Sequence, residues 1–123
     1  MWRFLVLQLR CWTKLLRGEL WTARYDFNYM VLGILVGLLR FEANAIERWR
    51  ISSGATMIEQ MLPQQRLQQL QNCIPDAREQ GLRQAFYAAA LLGYDVCAAV
   101  AHSYDVPWPQ ALAERVISIV RPQ

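Results

Sequence analysis

Histidine, glycine-rich phosphate loops and closely spaced aspartates are scarce or missing in this sequence. His102 is the only histidine among 123 residues, so a histidine metal cluster or a Ser-His-Asp or Cys-His pair with a spare base cannot form. Neither GxGxxG nor GxxxxGKS/T occurs, which excludes a self-contained nucleotide cradle of those kinds. No Asp-x-Asp pair is present to hold two metal ions. The sequence therefore predicts no catalytic residue and no metal site, and His102 is expected to lie near a helix end as a capping or half-buried residue.

Long hydrophobic runs and paired cysteines are also missing. The longest apolar stretch, Tyr29–Leu39, holds 11 residues, whereas a bilayer-crossing helix needs about 20. Arg10 and Lys14 interrupt the apolar start, and no small-residue cleavage site follows it. No CxxC pair occurs, so we expect three buried free thiols, at Cys11, Cys73 and Cys97. Together these features predict a cytoplasmic protein without a membrane span.

Charge of either sign is modest. The net charge is +3 and only one of the thirteen basic residues is lysine. Without a Lys/Arg cluster this balance predicts no nucleic-acid binding, although arginine favours planar contacts with phosphate or carboxylate. Hydrophobic residues make up 54% of the chain, which excludes disorder. The apolar surplus predicts a surface that another domain or subunit covers, and a homodimer formed especially through Trp2–Leu9 and Met30–Leu39.

Apolar residues at three- and four-residue steps predict helices and no strand. Asp26 is expected to cap the second helix, Gly33 and Gly37 to allow close approach of another helix, and Trp12 and Trp21 to pack in the core. Short connections between long helices indicate mostly antiparallel packing. We therefore predict one all-α domain over residues 1–123, an antiparallel bundle of five to six helices. The segments are Trp2–Thr22, Asp26–Arg50, Ala55–Leu62, Pro63–Gln71, Asp76–Tyr104 and an amphipathic helix after Asp105–Pro109.

Three stretches, in order, resemble the C-terminal region of aminoglycoside 6-adenylyltransferases and related lincosamide nucleotidyltransferases. In Leu15–Asn28 the resemblance lies in an Arg and a Glu before two apolar residues, and then an Ala, a basic residue and an Asn. These are Arg17, Glu19, Ala23, Arg24 and Asn28. Trp49–Gly54 resembles a tryptophan and glycine region of the family. Gly81–Val120 is similar to its closing pair of helices, with an aromatic-Pro link and a terminal Arg-Val. The likeness covers nearly the whole chain.

The resemblance implies a function shared with a second polypeptide or domain. Family members carry an N-terminal α/β domain whose Gly-Ser motif and paired aspartates bind ATP and magnesium and transfer AMP to a drug hydroxyl, and none of it is present in this chain. The resemblance thus implies a non-catalytic substrate-binding or lid domain, which needs no cofactor by itself. Its partners would be a catalytic nucleotidyltransferase domain or subunit and a small-molecule antibiotic. By the same resemblance Arg17 and Arg24 would face nucleotide phosphates, and Glu19 and Asp26 a cationic drug.

Two alternatives stay open at this point. The four charged residues are also compatible with ordinary solvated or domain-facing positions. The whole chain is also compatible with a helical dimerisation or interaction module that partners a nucleotidyltransferase subunit. A stand-alone enzyme is the third reading, and the missing reactive groups speak against it.

Overall fold

The fold is all-α, as predicted. A computed structural model describes residues 1–43 and 58–122, and this part of the chain contains no strand. The predicted region Trp49–Gly54 lies outside the described residues, as do the end of the predicted second helix and the start of the third. The helical elements are α1 Trp2–Leu16, α2 Leu20–Asp26, a π-helical turn Phe27–Val31, α3 Leu32–Glu42, α4 Ile58–Met61, α5 Gln64–Gln71, α6 Glu79–Tyr104 and α7 Gln110–Val120.

The first helix ends earlier than predicted because of Gly18. This residue has φ +82°, a backbone conformation that glycine adopts without steric cost and that closes many helices. The backbone N–H of Gly18 donates to the carbonyl of Leu15, and that of Glu19 to the carbonyl of Lys14. Helix α1 therefore ends at Leu16 rather than at Thr22.

The second helix correspondingly begins earlier than predicted, and Asp26 does not cap it. Glu19 occupies the N-cap position of α2, while Asp26 is the last residue of α2 and has helical φ and ψ. From Asp26 the chain runs directly through the π-helical turn into α3. The prediction of an Asp26 cap is wrong, because the carboxylate pairs with Lys14 of α1 instead.

Helix α6 lies at the centre of the bundle, antiparallel to both α1 and α7. The Gln8 side-chain amide in α1 donates to the carbonyl of Phe86 at 2.8 Å, while Phe4, earlier in α1, meets Gly93, later in α6. Tyr94 of α6 contacts Trp108 just before α7, with ring centroids 5.0 Å apart. The short connection at residues 105–109 joins α6 to an antiparallel α7, as predicted, whereas α1 and α6 are antiparallel without being consecutive.

One neighbouring pair is parallel. Phe27 packs on Phe86 at 4.7 Å between centroids, and Phe41 packs on Tyr104 at 5.0 Å. The residue numbers rise together, so α3 runs in the same direction as α6. Parallel neighbours need a long connection, and residues 43–78 lie between the two helices in sequence.

Close approach of two helices was predicted at Gly33 and Gly37, and the structure shows it at Gly93. A Cβ added to Gly93 would overlap the buried ring of Phe4, lying 2.6 Å from Cζ, whereas a Cβ at Gly33 would meet no heavy atom within 4 Å. The prediction of close helix approach is therefore wrong for Gly33. The small residue that matters is in α6, where α1 crosses it.

Helix α6 is also long and apolar enough to cross a membrane, judged by its length and composition alone. Glu79–Tyr104 has a mean hydropathy of 1.3 in its most apolar window, of which 56% is buried inside the structure. A mostly buried core helix of a soluble protein can have the same length and composition.

Candidate functional site

Two of the four residues singled out by the family resemblance pair with each other. Arg17 Nη2 lies 2.8 Å and Nε 3.1 Å from Glu19 Oε2, across the turn at Gly18. Both side chains are about half exposed. Solvent screens such pairs strongly, so this one contributes little to stability, and its charges remain accessible to a partner.

Arg24 ties α2 to the segment that precedes α6. Its guanidinium donates to the backbone carbonyls of Asp76, Ala77 and Arg78, the last two at 3.0 and 3.2 Å. The Arg78 side chain and backbone N–H in turn donate to the Asp76 carboxylate, and these hydrogen bonds hold the pKa of Asp76 below its ordinary value. Arg24 thus fixes the start of α6 relative to α2.

Asp26 forms an ion pair with Lys14 between α2 and α1. Both side chains are mostly buried, with 14% and 24% of their surface exposed. The fourth predicted site residue is therefore also engaged within the chain. Arg17 and Arg24 have separate partners. Neither of the clefts described below is lined by any of the four residues. Their contact with nucleotide or drug stays a prediction.

A row of aromatic side chains stands on the outside of α2 and the π-helical turn. Trp21 is 84% exposed, Tyr25 67% and Tyr29 73%. Their four-residue spacing places them on one side of the helix, and the rings of Tyr25 and Tyr29 stack at 6.0 Å with 13° between their planes. The expectation of core packing is wrong for Trp21, whereas Trp12 is buried as predicted. The spacing alone could have revealed this row in the sequence.

The adjacent outer side of α1 is apolar and basic. Trp2, Val6 and Leu16 are exposed apolar residues. The row Arg3, Arg10 and Arg17, at seven-residue spacing, is exposed beside them. We call these exposed residues, with the aromatic row, the hairpin face: Trp2, Arg3, Val6, Arg10, Leu16, Arg17, Trp21, Tyr25 and Tyr29.

The two rows of the hairpin face meet at one end of the α1–α2 pair. Arg3 and Tyr29 line the same small cavity there. Residues 1–18 contain no acidic residue, and Glu19 and Asp26 are engaged with basic partners. The face is therefore cationic as well as aromatic. Of the two segments expected to form a dimer contact, Trp2–Leu9 contributes to this face, while Val31, Leu35 and Leu39 of the other are fully buried.

A cleft opens between α1, the start of α6 and the end of α7. Its volume is about 510 Å³. The Arg83 guanidinium lies over the Trp12 ring, 5.5 Å from its centroid, a cation–π contact that holds it at the wall. The cleft therefore combines arginine with apolar groups. The lining residues are Trp12, Leu16, Gln80, Arg83, Ile119, Arg121 and Pro122.

A second groove, of about 410 Å³, lies between α3 and the α4–α5 segment. Leu32, Val36, Leu67 and Leu70 give it mainly apolar walls. Asn28 of the π-helical turn lies at its edge. The groove offers apolar contact area with few groups for chemistry.

Reactive side chains are not assembled anywhere in the described residues. No group of three or more His, Cys, Asp or Glu is close enough there to hold a metal ion. Burial raises the pKa of Cys11 and Cys97 to about 11 and that of Cys73 to about 12, so these thiols stay protonated at neutral pH. His102 lies in the last turn of α6, near the helix end as predicted, but its side chain is exposed rather than half-buried.

Comparison of the chain with family models, with curated proteins and with solved structures found no match.

Proposed function

We propose that this chain is a non-catalytic helical module that binds another protein through the hairpin face. The observation that carries the proposal is the exposed row of Trp21, Tyr25 and Tyr29, which meets the exposed arginine row of α1 where Arg3 and Tyr29 line one cavity. Single exposed apolar residues are ordinary, but contiguous patches mark interaction surfaces. Tryptophan, tyrosine and arginine are also the residues most enriched where protein interfaces concentrate their binding energy.

The charge of the hairpin face favours an acidic partner. Arg3 and Arg10 have no carboxylate bound in the described part of the chain, and Arg17 shares one with Glu19. A symmetric homodimer through this face would bring the arginine rows of both copies into one interface without carboxylates to neutralise them, and like charges would oppose association. A different polypeptide with carboxylates around an apolar centre complements the face better.

On this proposal the partner is the catalytic domain or subunit of an antibiotic nucleotidyltransferase, and the pair acts in the cytoplasm. Support for the partner's identity is the sequence resemblance of Leu15–Asn28 and Gly81–Val120. ATP, magnesium and the drug would be held mainly by the partner, and this chain would supply part of the cleft wall. Arg17 belongs to the hairpin face and Glu19 is paired with it, so docking would bring both near the shared cleft.

Association measurements with matched variants test the proposal. The chain is analysed by sedimentation velocity alone and with an aminoglycoside 6-adenylyltransferase catalytic domain lacking its own helical part. A variant carrying Trp21→Ala, Tyr25→Ala and Tyr29→Ala is compared with Leu91→Ala, which removes an exposed apolar side chain from α6. We expect a complex with the wild type and with Leu91→Ala, and at least a ten-fold weaker complex with the triple variant.

Three results would contradict it. Self-association that the triple variant abolishes would assign the face to a homodimer. A complex unchanged in the triple variant would place the contact elsewhere. Absence of any association would exclude the nucleotidyltransferase catalytic domain as the partner.

A further inference from the structure

We infer that the cleft between α1, α6 and α7 binds an amphipathic anion, with one carboxylate or phosphate head on an apolar body. This inference does not depend on the proposed protein partner, because the cleft shares only Leu16 with the hairpin face. Its volume of about 510 Å³ lies within the ordinary range of small-molecule sites.

The arginines of the cleft have unused hydrogen-bond donors. Arg83 binds Glu79 through Nε alone, at 3.3 Å, and its Nη groups donate no hydrogen bond within the described residues. Arg121 forms no ion pair in the same part of the chain. A planar guanidinium with free Nη groups can grip a carboxylate or phosphate through two parallel hydrogen bonds.

The Arg83 side chain is already positioned for this contact. Its guanidinium is held over Trp12, whose ring is in turn packed edge-on against Phe86 at 5.4 Å. A side chain fixed in this way loses less conformational freedom when a ligand binds. The donor group is therefore presented from a rigid wall.

The remaining walls select the body of the ligand. Leu16 and Ile119 are exposed apolar residues at the cleft, and Pro122 adds a further apolar surface. Covering this surface favours an alkyl chain or a flat ring over a small hydrated anion. A ligand with only a charge would leave the apolar walls uncovered, and a ligand with only an apolar body would leave the two arginines without an anion.

Four probes test the arginines and the apolar walls of the cleft separately. Octanoate and octyl phosphate carry both an anionic head and an apolar body, octanol carries the apolar body without a charge, and inorganic phosphate is the head alone. Binding is measured by titration calorimetry and by the shift of the Trp12 indole N–H signal in nuclear magnetic resonance spectra. We expect octanoate or octyl phosphate to bind at least ten-fold more tightly than octanol and than inorganic phosphate. The comparison of the two octyl anions shows which head the cleft prefers.

Three variants connect binding to the cleft. Arg121→Gln removes a guanidinium without an ion-pair partner, so its folding should be unaffected, and Arg83→Gln removes the one over Trp12. Each is expected to weaken octyl-anion binding several-fold, while Arg3→Gln on the hairpin face leaves it unchanged. Thermal unfolding of each variant verifies the fold. Equal binding of octanol, equal binding of inorganic phosphate, unchanged affinity in Arg121→Gln, or no binding of any probe would overturn the inference.

Discussion

Replacing Gly93 with alanine tests the contact that fixes α1 against α6. The new Cβ would overlap the Phe4 ring, which has no solvent exposure. Overpacking of this kind costs about 1–3 kcal/mol. Alanine gains about 1 kcal/mol over glycine in a helix interior, so we expect a net loss of stability of up to about 2 kcal/mol.

Gly33→Ala is the matched control. Gly33 also lies inside a helix but is exposed, and an added Cβ would meet nothing within 4 Å. The helix-propensity gain then acts alone, and we expect this variant to be more stable than the wild type by about 0.5–1 kcal/mol. The same chemical change thus has opposite signs at two helical glycines, which separates packing from propensity.

Urea unfolding followed by far-ultraviolet circular dichroism measures both variants. The midpoint should fall for Gly93→Ala and rise for Gly33→Ala, with the slope unchanged in each. In a Phe4→Leu background the penalty of Gly93→Ala should shrink, because the overlapping ring is gone. Stabilisation by Gly93→Ala, or strict additivity with Phe4→Leu, would show that the ring does not pack on the α6 backbone.

Three further predictions concern polar groups. Arg24→Gln removes the donors to the segment before α6 and should cost about 1–2 kcal/mol, with faster amide hydrogen exchange at the start of α6; unchanged exchange would contradict the tie. Lys14→Met leaves the mostly buried Asp26 carboxylate unpaired and should lower the thermal midpoint more than Arg17→Met, which breaks an exposed pair; the reverse order would refute this. Folding raises the pKa of the three thiols from about 9 to about 11 or 12, so their contribution to stability is complete below pH 9 and is lost as pH rises toward 11. Urea midpoints across that range measure the loss, and a cysteine-free variant with the same alkaline profile would argue against it.

Helix α6 shows what the sequence determines well. Its apolar positions recur at helical spacing over many turns, and the predicted Asp76–Tyr104 differs from the observed Glu79–Tyr104 only in the first turn. That turn differs because Asp76 bonds to Arg78 ahead of the helix. Periodicity is a local signal repeated many times, so it survives the details of packing.

The boundary near Gly18 and the role of Arg24 show what the sequence leaves open. The helical pattern of apolar residues continues through Gly18, and only the structure shows that this glycine is left-handed and ends α1. Arg24 binds carbonyls 52 to 54 residues away, which no spacing rule can reveal. Arginine suits phosphate and backbone carbonyls equally well, so residue type alone could not distinguish a ligand contact from a structural tie.

The hairpin face also explains how exposed aromatics and arginines act together. Trp21, Tyr25 and Tyr29 add little to the stability of the isolated chain because they remain in water, and by themselves they would promote self-association. Arg3 and Arg10 oppose that outcome, since two copies meeting through this face would bring like charges together. An acidic partner reverses the effect, because its carboxylates pair with the same arginines while its apolar centre covers the rings. The combination therefore disfavours binding to itself and favours a different polypeptide, which neither row would achieve alone.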